Sequence, residues 1–302
     1  MSQHTLIKPK YKSVFIENLL SNRPFRLLYQ LTIKRAKFFC FCRHLAFIFA
    51  FIWGLEVAHA EPGVTTNKSL SFSGYVWRVK ASEKRVGPGA NYFSDSGTNV
   101  WVDDAGRLHL RISNDDGKWR CGEVISETSF GFGTYRFYLS TPPTKLDQNL
   151  TLGLFTWSDA TPYAHREIDV ECGTWGRADD TNNAQFVVQP YEPKGHLLRY
   201  PVPENAEAVY SFLWQSNRVQ FRCLAGHEAE PSDTNAVIKE WSFARSGVPQ
   251  AGGENARINL WLSAGRAPRN TNDTEIVIGK FEFTPIGTRL RDSQMPPTRF
   301  VG

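Results

Sequence analysis

Downstream of residue 70 the chain predicts an all-β domain of two antiparallel sheets packed as a sandwich. Three observations point there. Helical periodicity is hard to find after residue 70. Short runs rich in Val, Ile, Phe, Tyr and Trp recur instead, punctuated by Gly, Asn, Asp and Pro. Asp103-Asp104-Ala105-Gly106 and Asn114-Asp115-Asp116-Gly117 carry the turn chemistry of hairpins.

In chain order the runs at 75–79, 99–102, 107–112, 133–139 and 151–157 read as strands, followed by 167–171, 184–188, 209–214, 218–223, 257–262 and 275–283. So many strands without intervening helices close into two packed sheets. No internal repeat is evident. Eight of the nine tryptophans lie after residue 70. A sandwich core absorbs many of them, and their faces also suit sugar rings.

The first 60 residues read as a separate segment. Lys34, Arg35, Lys37 and Arg43 precede an apolar run from 45 to 57, and Ala58-His59-Ala60 places small residues where a signal peptidase inspects them. The run is shorter than the ~20 residues of a membrane span, and Glu56 interrupts it, which disfavours an uncleaved anchor. Residues 1–33 make the leader longer than the usual ~15–30 residues: either its basic region is extended or the true start lies further on. The expected organisation is a leader at 1–60, one domain at 61–287 and a patternless tail at 288–302. Localisation is expected to be secreted or periplasmic, with no membrane association after cleavage.

Charge and cysteine follow this division. The whole chain is +5, but without its leader it keeps 26 basic and 28 acidic residues, so nucleic acid is not implied as a partner. Cys121, Cys172 and Cys223 remain, an odd number with no metal-ligand spacing.

The most informative stretch is Glu167-Ile168-Asp169-Val170-Glu171. On a strand its three carboxyls share one face and the aliphatics the other. Like charges along one face repel, so the arrangement needs a use. A solvated acidic edge is the plain alternative, but the apolar runs at 152–157 and 184–188 suggest a central strand with its acidic face in a concavity. A Ca²⁺ site is the other use of clustered carboxylates. It draws its ligands from loops, so no cofactor or metal is indicated. Two carboxyls on one patch of sheet suit the acid and nucleophile of glycoside cleavage. At about 5 Å and an effective dielectric of ~20 their repulsion is on the order of 3 kcal/mol, enough to keep one protonated near neutral pH.

Residues from about 70 to 285 resemble the family-16 glycoside hydrolases, the lichenase and laminarinase group. The likeness rests on the uninterrupted Glu-x-Asp-x-Glu at 167–171, Cys121-Gly122-Glu123, Gly131-Phe132-Gly133-Thr134-Tyr135, Phe155-Thr156-Trp157, Gln185-Phe186 and Asn259-Leu260-Trp261. It implies a β-jelly-roll with a concave cleft. It also implies that Glu167 is the nucleophile, that Glu171 is the general acid/base and carries the raised pKa, and that Asp169 lies between them. Asn91, Glu123, Phe155, Trp157, Gln185, Asn259 and Trp261 match its substrate-binding positions, and His165, sharing the parity of Glu167, stands where lichenases carry Trp. Ile125 and Val187 replace polar family residues, and Asn91-Tyr92-Phe93 lacks the partner of Cys121. The resemblance implies a monomeric, endo-acting, retaining β-glycosidase whose partner is a polysaccharide, most closely a β-1,3- or β-1,3-1,4-glucan. A transglycosylase and a non-catalytic carbohydrate-binding protein are the alternatives.

The leader generates a prediction of its own. Exported protein begins at Glu61, after Ala58-His59-Ala60. N-terminal sequencing checks this, and a membrane-bound form that retains residues 1–60 would favour the anchor.

Overall fold

The computed structural model describes residues 63–287 apart from 205–206 and 231–232; the expected leader and tail lie outside the described residues. Every run read from the sequence forms a strand: β2 (Tyr75–Ser82), β4 (Val100–Val102), β5 (Leu108–Asp115), β7 (Gly133–Leu139), β8 (Leu150–Trp157), β9 (Ile168–Gly173), β10 (Ala184–Val188), β12 (Ala208–Gln215), β13 (Arg218–Ala225), β15 (Asn255–Leu262) and β16 (Thr274–Pro285). Five further strands join them, namely β1 (Val64–Phe72), β3 (Tyr92–Phe93), β6 (Lys118–Ser126), β11 (Leu197–Tyr200) and β14 (Val237–Phe243). Two of these, β1 and β14, alternate half-buried with exposed residues along most of their length, which hides them from a search for apolar runs.

Two sheets result. One runs β1-β2-β6-β15-β8-β9-β10-β11, and the other β4-β5-β16-β7-β12-β13-β14. All their ladders are antiparallel, and short β3 lies parallel to β6. The β5–β6 hairpin connects the sheets: its tip is paired at Ser113–Arg120, while β5 continues into one sheet beside β16 and β6 into the other beside β15.

Strand alternation places the core between the sheets. Trp77 and Val79 of β2, Val124 of β6, Ile258 and Leu260 of β15, Leu152 and Leu154 of β8, and Ile168 and Val170 of β9 are fully buried there. The sheets interlock through rings. Phe186 of β10 stacks on Phe221 of β13 at 4.9 Å, and Trp77 meets Phe281 of β16 edge-on at 5.2 Å. Each such side chain contributes roughly 1.5–3 kcal/mol on burial. Cys121, Cys172 and Cys223 are unpaired and buried, as small apolar side chains are.

Phe186 lies on the strand beside the acidic one and pairs there with Val170, on the core side of the sheet. Phe186→Ala is expected to destabilise the protein by ~3–5 kcal/mol, read as a lower denaturant midpoint at unchanged slope.

Candidate active site

Strand register organises the outer face of the first sheet into rows. One row crosses it as Arg78, Ile125, Arg257, Phe155, Asp169 and Val187. The next runs Glu123, Asn259, Gly153, Glu171, Gln185 and Arg199. Their sequence neighbours fill the core, so these side chains face away from it, and those from Arg78 to Asp169 and from Glu123 to Glu171 line a cleft enclosing about 410 Å³. The cleft crosses six strands, β1 to β9 in sheet order, a span of roughly 24 Å at ~4.8 Å per strand.

Nine of the eleven site residues expected from the sequence line this cleft: Glu123, Phe155, Trp157, His165, Glu167, Asp169, Glu171, Asn259 and Trp261. Two do not. Asn91 is buried outside it, and its carboxamide donates to the Pro88 and Leu262 carbonyls at 2.9 and 2.8 Å, a structural fastening. Gln185 lies beside Glu171 on β10 and donates to its Oε2 at 2.5 Å, so it holds the carboxyl rather than lining the cleft. Glu123 is in place, but its carboxylate already accepts from Lys80 and Arg257 at 3.3 Å and from Asn259 at 3.4 Å. Gly153 has a steric reason: a Cβ there would sit 2.5 Å from Asn259 Oδ1.

His165 reaches the cleft by a route that strand parity does not describe. Tyr163, Ala164, His165 and Arg166 all have left-handed backbone, with φ of 57, 50, 62 and 55°. Such backbone costs ~1–2 kcal/mol per non-glycine residue, so neighbours must hold it. Ser158 N–H donates to the His165 carbonyl at 2.7 Å, the Thr156 hydroxyl to that of Arg166 at 2.8 Å, and Arg166 Nε to that of Gln250 at 2.9 Å. His165 Nδ1–H donates to the Ser158 carbonyl at 2.9 Å, which fixes the ring flat on Trp157 at 4.2 Å. The turn delivers Glu167 in extended backbone immediately ahead of β9.

The three carboxyls share an enclosed patch. Burial raises all of them. Glu167 is pushed up to about 8 by desolvation and then by the charge of Glu171. Asp169 is raised well above the usual carboxylate range by burial and by both glutamates. Glu171 rises to about 7 by desolvation, with the Gln185 amide and the Arg199 guanidinium pulling it back. Contrary to expectation, the higher of the two pKa values lies on Glu167 and not on Glu171, because those two donors face Glu171 and not Glu167. Protonated Asp169 hydrogen-bonds to Glu167, which favours the ionised form of that glutamate.

Several contributing residues escaped the sequence reading. Gln189 Nε2 donates to Asp169 at 3.0 Å. Arg199 donates to Gln185 Oε1 at 3.1 Å and to Asp180 at 2.8 Å, which orients the Gln185 amide with its NH₂ toward Glu171. Arg257 holds both Glu123 and Asp159. The parity of Gln189 with Gln185, and of Arg257 with Asn259, was the available signal.

No protein-family model and no curated protein sequence matches the chain. Solved structures do. A Bacillus licheniformis beta-glucanase superposes with a TM-score of 0.53 at 18% identity, over 74% of this chain and 99% of that one. A glycoside hydrolase family protein from Mycobacterium thermorestibile gives 0.52 at 14%, over 69% and 92%. A beta-1,3-glucanase from Mycobacterium marinum gives 0.50 at 15%, over 75% and 100%. At these identities the likeness establishes the fold, a jelly-roll sandwich.

The buried acids make stability depend on pH. Asp169 has a folded pKa above its unfolded one, so between the two the native state holds a proton that the unfolded state has lost. Its stabilisation is complete below the unfolded value and declines as pH rises toward the folded one. Asp169→Asn removes this titration and keeps a donor for Glu167. Above the ordinary carboxylate range the variant should lose stability less steeply than the parent, by up to about 1.4 kcal/mol per pH unit for one proton. Denaturant titrations at several pH values check this, and a parent slope equal to or shallower than the variant's would contradict it.

Proposed function

We propose that the protein is a retaining, endo-acting β-glycosidase that hydrolyses a β-linked polysaccharide outside the cytoplasm. The observation that carries this reading is the placement of Glu167, Asp169 and Glu171 together in a cleft that crosses six strands and is open to a chain-like ligand. A β-glucan backbone is the substrate suggested by the names of the structural neighbours, and the leader suggests export.

In this mechanism the Glu167 carboxylate attacks the anomeric carbon while the Glu171 carboxyl gives its proton to the departing glycosidic oxygen. A glycosyl ester on Glu167 results. Glu171, now ionised, takes a proton from water, and the hydroxide equivalent displaces Glu167 with net retention. With Asp169 protonated, one further proton is shared between the two glutamates, and the reactive tautomer carries it on Glu171. The donor from Asp169 to Glu167 works toward this tautomer, against the Gln185 and Arg199 donors that hold the Glu171 pKa below that of Glu167. The Gln185 amide favours ionised Glu171, which suits the second step. Trp157, His165 and Trp261 offer ring faces on which sugars stack.

Glu167→Gln should abolish hydrolysis at unchanged thermal stability. Glu171→Ala should spare the first step for dinitrophenyl glycosides and slow natural polysaccharides by ~10²–10⁴-fold, because only poor leaving groups need the acid. Azide should give the Glu171→Ala enzyme a glycosyl azide of retained configuration, and Glu167→Ala one of inverted configuration. Equal rate losses for activated and natural substrates, with no azide product, would show that these roles are wrong.

A further inference from the structure

The carboxyls occupy one end of the cleft, and the opposite end is cationic. Strands β1 and β2 form it, with Val64, Thr66, Arg78 and Lys80 facing the opening. Lys80 and Arg257 are buried at 4% and 8% exposure, and both are engaged with Glu123, itself only 1% exposed. Arg257 reaches Asp159 as well, at 3.2 Å.

Arg78 differs from both. It is half-buried against the cleft, yet it makes no hydrogen bond, ion pair or ring contact among the described residues. Its ladder partners are Ile125 on β6, which offers no acceptor, and exposed Ser69 on β1, whose hydroxyl donates to Glu127 at 3.5 Å. A guanidinium that has lost part of its hydration and gained no partner is a standing binding capacity for an oxyanion, whose geometry its fork of donors matches.

Distance decides what that capacity is for. Arg78 and Asp169 stand in the same row four ladder steps apart, roughly 19 Å. The Debye length at physiological ionic strength is ~8 Å, so Arg78 neither neutralises the acids nor shares their field. An anion bound at Arg78 is correspondingly free of their repulsion. Between the two ends, the charges of Glu123 and Asp159 are met by Lys80 and Arg257, and exposed Glu127 accepts from Ser69 without pairing with Arg78, so among the described residues Arg78 is the unpaired guanidinium at this end.

We propose that the β1–β2 end of the cleft binds an acidic sugar residue, through its sulfate ester or uronate carboxylate, several rings from the scissile bond. The substrate is then an anionic β-linked polysaccharide. This rests on the reading of the cleft as a polysaccharide site. It departs from that reading in making a charged substituent, and not a plain glucan, the preferred ligand.

One β-1,3-1,4-glucan prepared in three forms, unmodified, carboxymethylated and sulfated, tests it. Binding is measured on the full protein silenced by Glu167→Gln, and turnover on the active protein. Both charged forms or one of them should bind more tightly than the unmodified glucan, with an advantage that shrinks at high salt. Preference between them identifies carboxylate or sulfate. Arg78→Ala should reduce the charged-to-neutral affinity ratio by roughly 10- to 100-fold, the size of a guanidinium–oxyanion contact, and Arg78→Lys should restore part of it. Charged forms that bind no better than the unmodified glucan, or an Arg78→Ala variant that leaves the ratio intact, would overturn the proposal. Arg78-dependent binding by a protein that cleaves none of the three would instead sink the hydrolase reading and leave this one standing.

Discussion

Three carboxyls on one face of one strand cannot all be ionised in an enclosed cleft, and the surrounding structure is arranged around that constraint. Each acid has a specific donor: Asp169 serves Glu167, Gln189 serves Asp169, and Gln185 serves Glu171. Arg199 and Asp180 then settle which end of the Gln185 amide faces the acid. Removing any layer of this arrangement leaves a buried polar group unmatched, which costs more than the bond it made was worth.

The sheet converts this chemistry into position. Acids, donors and clamps sit on different strands, and only ladder register brings them level. The acidic strand is central, flanked by β8 and β10, so its backbone is fixed from both sides. Where regular strand ends, at Tyr163 to Arg166, the chain adopts a conformation that it would avoid in isolation, held by hydrogen bonds from Thr156, Ser158 and Arg166. Strain of this kind is tolerated where the surroundings over-determine it, and here it lies next to Glu167.

Much of this was readable in the sequence. Alternation of carboxylates with Ile168 and Val170 indicated which face holds the acids, because strand parity is a local property. Asn91 was misplaced because its partner, the Leu262 carbonyl, is 171 residues away and backbone acceptors leave no trace in composition. Gln185 was found, but its role was not, since that depends on which strand pairs with β9. His165 lies in the cleft as expected, but a turn and not strand parity puts it there. A turn of four left-handed residues without glycine has no sequence signature, and only the anchoring carbonyls reveal it. Arg78 was passed over because an arginine between Trp77 and Val79 looks like any solvated strand position until its surroundings are known.

The uninterrupted pairing of β9 with both neighbours has a consequence for how such a site can diversify. Neither ladder shifts register between residues 168 and 171, so the chain offers no slack there. Adding or deleting one residue would turn a glutamate toward Phe186 and Phe221, unless the extra residue were looped out as a bulge. The spacing of the two glutamates is therefore quantised. It can change by one unpaired residue or not at all, so gradual adjustment of the distance between their carboxyls must come from the donors on the neighbouring strands.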